Sequence, residues 1–277
     1  MTVAELLVSA CVTVLATGAA LSAVIPMQRG FAAHPEATGI IQRGRVVAEL
    51  LSGDLRHASL VLPLRIGAVG NDIPQGVFYR PDVITVVMDP VDALASGVVA
   101  PTSMRTYHLA RDADGIWQLM RYDGQSADFP AVEDVVELAV EYFGDAEPPA
   151  ASLTVQGDVQ TTYGPVPPPP TIDNPADSWG PGENCAFMSE DGGHVPRLPS
   201  LGAGVVLLPP AILADGPWCP DAAHAFRFDA DLLRIRRVRV RVRLQAAKPF
   251  RGLAESWAVP DHTVVLDVGP RNARVAR

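Results

Sequence analysis

The stretch from Met1 to Ile25, MTVAELLVSACVTVLATGAALSAVI, is apolar or small throughout and carries one charge, Glu5. Coiled as a helix it is about 37 Å long, sufficient to cross the hydrocarbon core of a bilayer. A secretory signal peptide begins with a basic region and ends at a small-residue cleavage site. No Lys or Arg precedes Glu5 here, and an acid sits one turn into the apolar run. A carboxylate at that depth costs several kcal/mol unless it is paired, which makes it a functional residue by default. The bland alternative is that Glu5 rests at headgroup level, as any residue near a helix end can.

The rest of the chain is that of a folded protein. Hydrophobic residues make up 48% of the 277 positions and charged residues 19%, enough for an ordinary globular domain behind the anchor. A net charge of -9 argues against a general nucleic-acid binder. Between Gly144 and Pro220 prolines and glycines crowd together, so this stretch reads as a long insertion with little regular structure. Pro165 to Pro170 within it reads as extended polyproline.

Beyond the apolar run, Pro26, Gly30 and Pro35 each disfavour a continuous helix, and a break is expected near Pro26. Helical periodicity then returns. Val47, Leu51, Leu55, Ala58 and Leu62 form one stripe, backed by Val46 and Leu50, while Arg43, Arg45, Glu49, Ser52 and Arg56 lie elsewhere. After Pro63 the period becomes that of strands. Val83–Met88, Arg105–Arg111 and Ile116–Tyr122 read as strands, the last two joined by the turn Asp112–Gly115. Val132–Phe143 follows, a short element leading into a strand. Past the insertion, Leu233–Leu244 places Val238, Val240, Val242 and Leu244 on one face and Arg237, Arg239, Arg241 and Arg243 on the other. Thr263–Val268 is the last strand.

The first nine residues, Met1-Thr2-Val3-Ala4-Glu5-Leu6-Leu7-Val8-Ser9, resemble the mature N-terminus of type IV pilins and type II secretion pseudopilins, with Phe or Met first and Glu fifth. Asp54-Leu55-Arg56-His57-Ala58 resembles the Asp-Leu-Arg-x-Ala helix end of PilW-type minor pilins and J-type minor pseudopilins. The Leu119-x-Arg121 strand, the following V-x-x-L element and the late Arg271-Asn272 pair are similar to theirs as well. The likeness covers most of the chain outside roughly residues 150–230, and its N-terminal motif is the specific part.

The resemblance implies an α+β, pilin-like fold: a long N-terminal helix, transmembrane and then amphipathic, packed on an antiparallel β-sheet. Its parts are a transmembrane helix over 1–25, an amphipathic helix over 26–62, a β-rich domain over 63–149, the insertion over 150–230 and returning strands over 231–277. It also implies a short basic leader, removed by a prepilin peptidase that then methylates Met1, so the numbering is that of the mature form or the start lies further upstream. Glu5 would pair with the N-terminal ammonium of the next subunit as the helix enters the filament. The chain would be a single-pass protein of the inner membrane, its globular part in the periplasm. It would serve as a non-catalytic minor subunit that initiates or caps a type IV pilus or a type II secretion pseudopilus. Its partners would be other pilin or pseudopilin subunits, with no cofactor and no metal. The competing class is a membrane-anchored periplasmic binding module, or an adhesin presented by the Pro-rich insertion.

No catalytic constellation is recognisable: there is no G-x-S-x-G, H-E-x-x-H, P-loop or C-x-x-C. Cys185 and Cys219 suit a disulfide in an exported chain, closing a loop of about 35 residues and contributing on the order of 3–4 kcal/mol. Two free thiols are the alternative. So is a zinc site that adds His194 and His224, at spacings that match no standard finger. Asp173, Asp177, Glu183, Glu190 and Asp191 have the oxygen chemistry of calcium ligands, and also that of a solvated acidic loop. The arginine ladder could meet DNA phosphates, an acidic neighbouring pilin, or solvent alone.

Overall fold

The computed structural model describes residues 2–58, 60–62, 82–88, 104–123, 128–148, 151–153, 159–161, 183, 185–191, 193–219, 228–246, 250–251, 256–257 and 259–270. The chain opens with α1, Val3–His57, a single helix that runs on through Pro26 and Pro35. The break expected near Pro26 is absent, and the helix stops at His57 rather than residue 62. Each proline removes one i→i−4 hydrogen bond, a local loss that a helix of 55 residues sustains. The stop has a plain cause: Ala58 turns to extended backbone, and the next described residues, Leu60–Leu62, form a strand.

Two antiparallel sheets follow. The first contains β1 (Leu60–Leu62), β2 (Val83–Val87), β3 (Met104–Arg111), β4 (Trp117–Tyr122) and β5 (Asp128–Glu133), neighbours in chain order. The second starts with β6 (Val135–Asp145). The stretch 132–143, expected as a short element leading into a strand, is divided between β5 and β6 because Asp134, at φ 59, turns the chain out of the first sheet and into the second. Few non-glycine residues adopt this conformation, and Asp is among those that do so most readily.

Short hairpins pair β7 (Ala151–Leu153) with β8 (Val159–Thr161) and β9 (Phe187–Glu190) with β10 (Gly193–Pro196). β11 (Val205–Leu208) then joins the edge of β6, and β12 (Trp218–Cys219) pairs with β13 (Phe228–Asp229). A 3-10 helix, Ala230–Arg234, leads into β14 (Ile235–Leu244), and β15 (Phe250–Arg251) pairs with β16 (Ser256–Trp257). β17 (His262–Val268) completes the second sheet in the order β11-β6-β14-β17. The insertion is therefore not wholly irregular, since its later part supplies β11 to the main sheet. Leu233 and Arg234, expected in the strand, belong to the 3-10 helix instead. The polyproline run lies outside the described residues.

The rear part of α1 lies against β5, β14 and β17. Val47, Leu51, Leu55 and Ala58 are fully buried, as the periodicity predicts, together with Ile84, Tyr107, Leu119, Val238, Val240 and Val242. Burying a Leu of this kind stabilises by about 1.5–3 kcal/mol. Val46, placed beside the stripe by its spacing, is half exposed. Close approach of the helix to β17 depends on Gly44: a Cβ there would lie 2.8 Å from the His262 ring and 3.1 Å from Val264 Cγ2.

Candidate functional sites

The architecture sets out four groups of side chains with something to do. The first is the helix start. Val3–Ser22 is the one helical stretch among the described residues long and apolar enough to cross a membrane, and it is exposed throughout. Thr2 caps it. The Thr2 N–H donates to Glu5 Oε2 at 2.8 Å, and the Glu5 N–H donates to Thr2 Oγ1 at 3.4 Å, a reciprocal capping box. An acid here also complements the positive end of the helix dipole. Met1 lies outside the described residues.

The second group closes the helix end onto the first sheet. Asp54, buried on the last turns of α1, accepts a hydrogen bond from Tyr107 Oη at 2.5 Å and pairs with Arg105 through its other oxygen. Arg121 Nη2 stands 3.6 Å away on β4. Burial, and then the Asp54 carboxylate, push the Tyr107 phenol far above its ordinary pKa, so it stays a proton donor. Asp54 comes from the end of α1 and Arg121 from β4, and here they meet. Further back, Arg43 pairs with Glu36 at 2.9 Å and with Asp134 at 3.2 Å, fixing α1 to the corner between the sheets.

The third group is the arginine ladder. Each arginine faces a carboxylate from a flanking strand or the turn beside it. Arg237 and Arg239 face Asp267, Arg239 also faces Glu141, Arg241 faces Glu137, and Arg243 faces both Glu137 and Asp261. Arg237 and Arg239 also stack over the Phe143 ring at 4.3 and 5.1 Å. The strand alternation is as read from the sequence, but the face is neutralised within the chain. That removes the surplus positive charge on which binding to DNA or to an acidic neighbour would depend.

The fourth group was not foreseen. Where the insertion returns to the sheet, Asp215, Asp229 and Asp231 bring carboxylate oxygens within 4.8 Å of one another. Asp229 is fully buried and caps the 3-10 helix, accepting from the Asp231 N–H at 2.8 Å and the Gly216 N–H at 2.7 Å. Asp231 Oδ1 is ion-paired with Arg234 Nε at 2.6 Å. Arg234, wholly buried, also donates to the carbonyls of Ala146 at 3.0 Å and Pro199 at 2.6 Å. Burial pushes the Asp229 carboxyl up to about 6, against the pull of its backbone hydrogen bonds. Burial likewise pushes Asp231 up to about 7, with Arg234 opposing. The oxygens have calcium chemistry, but only the cluster itself points to an ion.

Of the remaining sequence candidates, Cys185 is buried and disulfide-bonded, so it is not the zinc ligand considered above; Cys11 is free. The side chains of Cys219, His194 and His224 lie outside the described residues. Glu183 pairs with Arg197 at 2.5 Å, and Glu190 and Asp191 are exposed at the β9–β10 turn. Asp173 and Asp177 lie outside the described residues.

No protein-family model matches the chain, and comparison with curated proteins and with solved structures likewise finds no match.

Proposed function

We propose that this chain is a non-catalytic minor pilin or pseudopilin, anchored in the inner membrane by its first helical stretch and incorporated through it into a type IV pilus or type II secretion pseudopilus. The observation that carries this reading is one carboxylate at the fifth residue, in an apolar first stretch of α1 that holds no other charge. That helix continues unbroken onto an antiparallel sheet domain. Among the described residues nothing packs against Val3–Ser22, which suits a segment whose partners are lipid and other helices. Glu5, released from its cap, would pair with the N-terminal ammonium of the adjoining subunit and so set register. Cys185 and Cys219 would brace the insertion on the periplasmic side.

One measurement addresses processing. Mass spectrometry of the N-terminal peptide from membrane-extracted protein should find Met1 as the first residue, carrying one methyl group. An unmethylated terminus, or one further upstream, contradicts handling by a prepilin peptidase.

A second reading is a binding module or adhesin on an ordinary membrane anchor, and one observation favours it. The Thr2–Glu5 capping box already satisfies the carboxylate, which therefore has a local role without any neighbour. In that case the insertion is the working surface, and removing about residues 165–225 abolishes target binding but not assembly.

A further inference from the structure

The insertion is fastened to the sheet domain by a small dry assembly of charges. Arg234 holds the end of β6 through Ala146 and the 197–201 stretch through Pro199. The Ala146 carbonyl also receives the Leu201 N–H at 2.7 Å. Asp229 holds the 215–217 turn through the Gly216 N–H, and Ala230 N–H donates to Pro217 at 2.9 Å. Asp231 holds Arg234. These three stretches of backbone therefore meet at the 3-10 helix on three side chains, each nine-tenths or more out of solvent.

The charges do not balance. Among the described residues, two buried carboxylates share one buried guanidinium, and the exposed Asp215 adds a third negative charge at the rim. No other charged side chain among the described residues offsets them. β1 brings only Leu60–Leu62 to this place, the nearby Asp145 is tied to Arg236, and Arg197 is tied to Glu183. Two carboxylates in a low-dielectric site with one cation hold a proton more tightly than either would in water.

We infer that the Asp229–Asp231–Arg234 joint is a proton-linked lock on the root of the insertion, closed when it holds one extra proton and loosened when that proton leaves. The direction follows from the linkage. Both acids titrate higher in the folded joint than in an opened one, so the joint binds the proton when closed. The extra hold is greatest near the ordinary carboxylate range, declines as pH rises through about 6 to 7, and is lost above that. The chemistry requires only a proton, and it is independent of the pilin reading.

The test is hydrogen exchange on the full chain in detergent, with EDTA present, read by mass spectrometry at pH 5 and pH 8 and corrected for intrinsic rates. Amides of 199–217 and 229–234 should be protected on the order of tenfold more at pH 5, while those of β3 and β4 change little. Asp231→Asn keeps an oxygen toward Arg234 and removes one charge, so its protection at pH 8 should approach the wild-type value at pH 5. Equal protection of these amides at both pH values in the wild type overturns the proposal, as does an undiminished pH response in the variant. Should Asp231→Asn not fold, Asp215→Asn at the exposed rim should move the midpoint to lower pH. An unmoved midpoint counts against the lock equally.

Discussion

The two ends of α1 are one continuous helix in two different situations. Its rear part, from Ile40 to His57, is specified inside the molecule: Val47, Leu51 and Leu55 are fully buried, and Asp54 is held by Arg105, Tyr107 and Arg121. Its front part, Val3–Ser22, is exposed, and among the described residues its one carboxylate is held only by its own helix start. The contrast between Asp54 and Glu5 carries the lesson. The first acid has partners that the fold brings from two strands, so its role is structural. The second sits in an apolar segment that no described residue packs against, and its partner is its own helix start.

The contrast breaks most easily at Asp54. Asp54→Ala strands a buried phenol hydroxyl and removes the shared anion of two arginines, at a cost of about 3–5 kcal/mol in chemical denaturation of the sheet domain. Asp54→Asn, which can still accept from Tyr107, should lose less. A comparable loss from Glu5→Ala in the same assay would erase the distinction between the two ends. The reverse experiment is Ala10→Arg, which should cost about 2.5–3.5 kcal/mol in membrane insertion and leave denaturation of the sheet domain unmoved.

Glycines sharpen the comparison on a finer scale. Gly44→Ala should destabilise by about 1–3 kcal/mol, because its Cβ would meet the His262 ring. Gly39→Ala, five residues earlier with open space around it, should stabilise by up to about 1 kcal/mol. Gly18→Ala, also in open space, should leave the sheet domain unchanged. Smallest of all, Arg241→Ala on the exposed ladder should alter stability by less than about 0.5 kcal/mol, and more salt should shrink even that.

What was legible in the sequence follows the same divide. Periodicity exposed the stripe Val47–Leu51–Leu55 and the alternation of valine and arginine on β14, because each is a repeat along a single element. The partners of Asp54 were not legible, since Arg105 and Tyr107 lie 51 and 53 residues away and only the fold brings them near. The ladder's arginines were legible and their neutralisation was not, for the same reason: Glu137 is 106 residues from Arg243. β11 was hidden by its loop-like surroundings, a short strand beside Pro209 and Pro210 that earns its place only on the edge of β6. The carboxylates of Asp215, Asp229 and Asp231 gave no spacing signal either, because a turn, a strand end and a 3-10 helix place them together.

The central claim is that Glu5 serves assembly. The direct measurement is the amount of Glu5→Ala chain in sheared, purified filaments, relative to wild type, with equal levels of folded protein in the membrane. The account predicts that the variant is lost from filaments while remaining inserted and folded. Incorporation at the wild-type level would contradict it.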